Sequence, residues 1–280
     1  MGAPGHSLCR VSGGARLDSS DDPSQHCRPV TMPIRRYLGI ARSLGLYYGV
    51  PFRLAGMRRL YAGLVPEGGL CFDIGAHVGN RLRCFRSMGA RVVALEPQPD
   101  FARILRLLYG RDRGVTILEA AAGAETGVAT LLASLRTPTV TSLNPQWVLQ
   151  VGGTLGFEHV RWTAGPSVPV TTLDALVDRH GLPDFTKIDV EGHEGAVLAG
   201  LTRALPALSF EYLPAARDLA IGCIERLAEL GDYRYNWSVG ESSRFGSPDW
   251  LPPGAAREWV GRLAPDAGSG DLYARLARSE

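Results

Sequence analysis

Residues 184–194 read DFTKIDVEGHE. The first part is an apolar, strand-like run that carries Lys187 and Asp189 at period two, so both fall on one face. Glu191, His193 and Glu194 follow in the turn. Ionisable groups inside an apolar strand are costly unless they are paired or functional. Lys187 and Asp189 are therefore either an ion pair or groups delivered to a ligand. In an open α/β sheet the carboxyl end of a strand faces the ligand crevice. A second constellation lies at residues 70–80, LCFDIGAHVGN. Asp73 stands near the end of a strand, Gly75 and Gly79 form the turn, and Asn80 opens a helical pattern. Glycine lets the backbone turn sharply and lie close to a ligand. Glu96 ends the next strand. An acid there can accept hydrogen bonds from both ribose hydroxyls of an adenosyl cofactor. NAD sites use the same device, so Glu96 by itself does not choose between adenosyl ligands.

The glycine pattern is not the dinucleotide GxGxxG, because position 77 is His. Asp73-x-Gly75-x-x-x-Gly79 resembles instead the first motif of the S-adenosylmethionine (SAM) methyltransferases. SAM has no phosphate, so the extra glycine that fits a pyrophosphate against a helix is not needed. FDIGAHVGN, ALEPQPD and TTLDALVDRHGLPDFTKIDVEGHEGAVLAGL together resemble the FkbM family of SAM-dependent methyltransferases, over about residues 70–276. The KIDVEGxE segment is the most specific part. The resemblance implies a Rossmann-like, doubly wound, seven-stranded α/β sheet with SAM as cofactor. It implies methyl transfer to a hydroxyl, often on sugars, glycans or polyketide-like metabolites. The cofactor would meet Asp73, Gly75, His77, Gly79, Asn80, Glu96, Pro97 and Ala121. His77 stands where the family usually has Asn.

In-line transfer from a sulfonium needs mainly a well-placed acceptor oxygen, and a base can remove the hydroxyl proton. Asp189 is the first candidate base and His193 the second, with Lys187 and Glu191 beside them. The expected site holds no metal. The alternative is Mg²⁺ on Asp189, Glu191 and Glu194, since carboxylate oxygens suit that ion. Two other readings remain open: an NAD(P)-linked oxidoreductase, and a non-catalytic binding module that keeps the fold.

Alternating patterns supply the elements that would position these groups. Strands are expected at 70–74, 91–96, 115–119, 184–190 and 207–213, with helices between them at 80–88, 100–109, 173–180, 195–201 and 215–230. Residues 233–239 and 271–276 look like a closing antiparallel pair. Residues 127–135 read as an added strand, 168–171 as a short one, and 137–166 as a long loop suited to a substrate. Thr172 is the expected cap of the helix after it.

Composition bounds the rest. The chain has 280 residues, 45% hydrophobic and 21% charged, with a net charge of +2. No global field points to nucleic acid. Five cysteines without a CxxC pair fit a reducing cytoplasm better than a disulfide framework. No apolar run approaches a membrane span. Residues 1–31 are polar and aperiodic, and read as a disordered tail or an over-extended start before Met32. Residues 32–68 read as a helical cap, broken near residues 49–51, ahead of a methyltransferase domain at 69–280. No acid occurs between Asp22 and Glu67, whereas Arg28, Arg35, Arg36, Arg42, Arg53, Arg58 and Arg59 do. These basic helices are either a solvated surface or a peripheral contact for an anionic membrane or glycan. The expected partner is a small-molecule or glycan acceptor.

Overall fold

The computed structural model describes residues 52–134, 137–154 and 156–277, together with Gly45. The expected tail with Arg28, and the expected cap up to residue 51 with Arg35, Arg36 and Arg42, lie outside these residues apart from Gly45. The described part of the cap is helix α1 (Arg53–Tyr61), which buries Met57, Leu60 and Tyr61.

The chain then alternates: β1 (Leu70–Ile74), α2 (Asn80–Ser87), β2 (Arg91–Leu95), α3 (Pro99–Tyr109) and β3 (Val115–Leu118). An insertion follows, with β4 (Ala121–Ala122), β5 (Gly127–Ala133), α4 (Pro145–Val151) and β6 (Thr163–Thr171). Alternation resumes with α5 (Leu173–His180), β7 (Phe185–Ile188), α6 (Glu194–Ala199), β8 (Ala207–Tyr212), α7 (Arg217–Leu230), β9 (Tyr233–Val239), α8 (Pro253–Gly261) and β10 (Gly270–Leu276). The main sheet has seven strands in the order β3-β2-β1-β7-β8-β10-β9. Its first five are parallel, and β10 runs antiparallel to both of its neighbours. This is the expected doubly wound α/β sheet with its closing antiparallel pair. β1 is buried at every position, as a central parallel strand covered on both faces must be.

The two faces of the sheet carry separate cores. Phe72, Ile74, Ile188, Leu208 and Phe210 pack against α5, α6, α7 and α8. Cys71, Val92, Ala94, Phe185 and Tyr273 pack against α1 and α2. On that second face Tyr61 sets its ring edge-on to Phe85 and Phe185, with centroids 5.0 and 5.2 Å away. α1 is thus part of the core. The same face also carries polar residues towards the carboxyl ends of the strands. Asp73, Lys187, Ser209, Tyr273 and Asn236 are cross-strand neighbours in one row, and Glu211, Asp271 and Ser238 form the next.

The local signals explain most boundaries. Thr172 caps α5 by accepting from the Ala175 backbone N–H at 3.1 Å, the expected N-cap. The expected loop at 137–166 contains α4 and the start of β6, which is longer than the expected short strand. With β4 and β5, β6 builds a second sheet in the order β4-β6-β5. β4 and α8 had no counterpart in the expected elements.

Gly75 joins β1 to the turn at φ 85°, in the left-handed region that favours glycine. A Cβ there would lie 1.8 Å from the Asp189 carbonyl oxygen, because β7 ends against this turn. Gly75→Ala is expected to cost about 2 kcal/mol or more, from the left-handed penalty and the clash together. Thermal denaturation should show a fall of several degrees in Tm. An unchanged Tm would mean that the two strand ends can separate without cost.

Candidate active site

A crevice opens beyond the carboxyl ends of β1, β2, β3 and β7, the edge at which open α/β sheets bind ligands. It encloses about 540 Å³ of empty space, counting its open mouth. Gly75 and His77 come from the turn after β1, Glu96, Pro97 and Gln98 follow β2, and Ala120 to Ala122 follow β3. Asp189, Val190, Glu191 and His193 follow β7. The insertion supplies the facing wall, with Leu131, Thr139, Thr141, Ser142 and Leu143. Both sequence constellations therefore meet in one cavity, and the expected loop forms its other side.

The cofactor-side geometry begins with Glu96, which is buried. Its Oε2 accepts from the His77 backbone N–H and its Oε1 from the Gln98 N–H, each at 2.8 Å. One carboxylate thereby ties the turn after β1 to the turn after β2. The His77 backbone is left-handed, at φ 49°, and its ring rests on Phe101 with centroids 4.0 Å apart. Burial lowers the imidazole pKa to about 4, so the ring is neutral near pH 7. Pro97 and Ala121 line the wall. Gly79 and Asn80 stand at the start of α2 and form no part of the lining. Asp73 points to the other face of β1, where burial raises its carboxyl to about 7 against the lowering pull of Lys187 and Arg81.

The acid side is organised by Lys187, which is wholly buried behind the cavity. Its Nζ lies 2.9 Å from Asp271 Oδ1 and 3.1 Å from Asp189 Oδ2. Asp189 alone of these three reaches the cavity, with 39% of its side chain exposed. Sequence reasoning held a Lys187–Asp189 ion pair as one of two readings and missed Asp271. The charges continue away from the crevice. Arg81 lies 3.6 Å from Asp271 and 3.2 Å from Glu241, and Glu241 meets Arg53 of α1 at 3.0 Å.

Glu194 does not face the cavity. Its Oε1 accepts from the backbone N–H groups of Val190 and Gly192 at 3.2 and 3.3 Å, and burial raises its pKa to about 7. It shapes the turn. Glu211 from β8, unmarked in the sequence reading, stands in its place, and Asp189, Glu191 and Glu211 each bring an oxygen within 4.8 Å of the other two. Burial, then repulsion from its acidic neighbours, pushes the Glu191 carboxyl well up, and Glu211 likewise. This trio, and not one containing Glu194, has the spacing a divalent ion would need. His193 lines the cavity with Asp189 and Glu191, its pKa lowered by burial, and Glu211 is not among the lining residues.

The residues fit SAM better than a dinucleotide. Glu96 is acceptor-only when ionised, as ribose hydroxyls require, and Ala120 to Ala122 offer a small apolar surface. Among the described lining residues there is no Lys or Arg. The charged side chains there are the acids Glu96, Asp189 and Glu191, which disfavour a pyrophosphate and favour a sulfonium cation.

The family model described as the methyltransferase FkbM domain matches residues 73–218, more than half of the chain. The hexuronic acid methyltransferase AglP of Haloferax volcanii is 31% identical over 149 residues, covering 51% of this chain and 54% of that protein. The chain thus spans about half the length of this curated relative. Two solved structures are similar at low identity. The TehB-like SAM-dependent methyltransferase from Corynebacterium glutamicum is 12% identical, with 86% of this chain and 96% of that one covered and a TM-score of 0.44. The O-methyltransferase from Bacillus cereus in complex with SAH is 13% identical, with 90% and 93% covered and a TM-score of 0.42. With its family-model match spanning the glycine turn, Glu96 and the whole KIDVEGHE segment, this chain belongs to the FkbM family of SAM-dependent methyltransferases.

Proposed function

We propose that this methyltransferase methylates a hydroxyl oxygen on a sugar or glycan, with Asp189 as the base. The observation that carries the reading is the position of Asp189. It lines the same cavity as Glu96, yet its carboxylate is backed by a buried ammonium. When bound, SAM supplies a methyl group on a sulfonium, already activated for in-line transfer. Glu96 holds the ribose end. Gly75 allows the turn to close against β7 so that the reacting atoms sit near Asp189. Asp189 Oδ would receive the proton that the acceptor hydroxyl gives up on methylation. Glu191, which lines the same cavity, is placed to hydrogen-bond a further hydroxyl of a polyol. His193 is the second candidate base. The name of the Haloferax relative supports a uronic acid or related sugar as the acceptor class.

A second reading rests on the spacing of Asp189, Glu191 and Glu211. In it the three carboxyl groups would hold a divalent ion, which would supply Lewis-acid orientation of the acceptor. The two readings part under EDTA. The first expects full turnover after chelation, the second expects none.

The cofactor reading expects SAH to bind in calorimetry and NADH not to bind. Glu96→Ala should weaken SAH by about 1–3 kcal/mol, the range for lost charged hydrogen bonds. NADH binding without SAH binding would reverse the assignment.

Asp189→Asn tests the base. Turnover should be followed with labelled SAM and a panel of uronic acids and glycans, with NMR of the product to place the methyl. The rate is expected to fall about 10²–10⁴-fold, while SAH affinity stays near that of the unmutated protein. If Asp189 served only as an ion-pair partner of Lys187, the variant would keep its rate and lose thermal stability instead.

A further inference from the structure

The wall opposite the cofactor turn is attached to the acidic turn at two points. Ser142 Oγ donates to the Glu191 carbonyl at 2.6 Å. Asn144 Nδ2 donates to the Gly192 carbonyl at 2.7 Å. The other end of the Asn144 amide is also engaged: its Oδ1 accepts from the backbone N–H groups of Gln146 and Trp147 at 3.0 and 3.1 Å and so caps α4. Turning the amide over would set its NH₂ against two N–H donors, so the network fixes its orientation. Ser142 Oγ also accepts from the Asn144 N–H at 3.0 Å, linking the two contacts. A shape match accompanies them. A Cβ on Gly192 would lie 2.1 Å from Trp147 Cγ, so the bare glycine backbone receives the buried indole directly. Behind Trp147, Phe157 and Trp162 complete an apolar cluster with Val151 and Ala216. The segment held this way, Thr139 to Leu143, supplies four of the residues lining the crevice.

We propose that Ser142 and Asn144 are positioning residues that latch the inserted sheet onto the Glu191–Gly192 turn and so set how tightly the crevice holds its cofactor. The proposal rests on the SAM-dependent reading of this cavity. Neither residue need touch the cofactor. Each acts by holding the wall residues at their working distance from Gly75, Glu96 and Asp189. The left-handed backbone of Glu191, at φ 52°, is held from two sides. Ser142 binds its carbonyl, and Glu194 binds the amides of Val190 and Gly192 that flank it. Loss of the Ser142 and Asn144 contacts lets the turn relax and the wall recede.

Asn144→Asp separates the latch from the helix cap. Asp is nearly isosteric and caps as well as Asn, but it has no donor for the Gly192 carbonyl. Ser142→Ala removes the Glu191 contact and leaves the Asn144 cap in place. The probe is SAH, measured by calorimetry, alongside amide hydrogen exchange of the protein without ligand. Both variants are expected to bind SAH about five- to tenfold more weakly, the scale of one lost hydrogen bond. Exchange should quicken in residues 189–194 and stay unchanged in β1 and β7. SAH affinities within twofold of the unmutated protein in both variants would overturn the proposal. Exchange quickened throughout the main sheet in both would also overturn it, since the contacts would then support the fold as a whole. If the unmutated protein failed to bind SAH, the cofactor assignment would fall, and the exchange pattern would still decide whether the latch holds the turn.

Discussion

The site depends on keeping one ammonium charged where water cannot reach it. Lys187 is wholly buried in the middle of the sheet. Burial works to strip its proton, but Asp189 and Asp271 hold it on, and the balance leaves its pKa above the usual lysine value. Removing one partner of such a group costs about 3–5 kcal/mol, because the remaining charge is left uncompensated. The arrangement therefore constrains strands far apart in the sequence. Lys187 comes from β7, and Asp271 comes from the last strand, 84 residues later. β10 runs antiparallel between β8 and β9, and that insertion places Asp271 next to Glu211 and beneath Arg81. The closing strand is thus part of the foundation of the acidic turn. Through Arg81, Glu241 and Arg53 the same alternation of charge reaches α1, so the helix ahead of the sheet is tied to the crevice electrostatically as well as through Tyr61.

The second constraint is close backbone approach. Gly75 has no room for a side chain because β7 ends against it, and Gly192 has none because Trp147 lies on it. One contact brings the cofactor turn to the acidic turn. The other brings the insertion to that same acidic turn. Residues 189–194 are therefore a shelf between two walls, and a shift in either wall is felt by Asp189 and Glu191.

Much of this was legible in the sequence because the signals are local. The apolar run at residues 70–74, its glycine turn, Glu96 at the end of a strand, and the KIDVEGHE segment are each contained in about ten residues. Their meeting in one cavity follows from the parallel order of the sheet. What escaped was set by register. Glu211 and Asp271 are single acids in apolar strands, ALSFEY and GDLYARL, and become site residues only once β8 and β10 are paired. Glu194 carried the right chemistry for a ligand, but its neighbours' amides claimed it. β6 runs further than the expected strand at 168–171 and carries Pro166 and Pro169, residues disfavoured inside a sheet. Both are tolerated because β4 pairs only with Val170 and Thr171, and Pro166 falls at the irregularity in the β5 pairing. α4 did leave a signal, Asn144 followed by Pro145, the cap-then-proline start of a helix. Its significance was hidden by the glycines that follow.

The shape of the acidic turn is consistent with what methyl transfer asks of a protein. The sulfonium is already activated, so most of the available acceleration lies in holding two atoms in line. Such a reaction needs few reacting side chains and much support behind them. Six residues, 189–194, receive support from Lys187 below, Glu194 from within, Ser142 and Asn144 from the insertion, and Trp147 from the side. Only Asp189, Val190, Glu191 and His193 are left to face the ligand. The concentration of buried charge, left-handed backbone and side-chain capping in this one turn is therefore consistent with a site that works by placement.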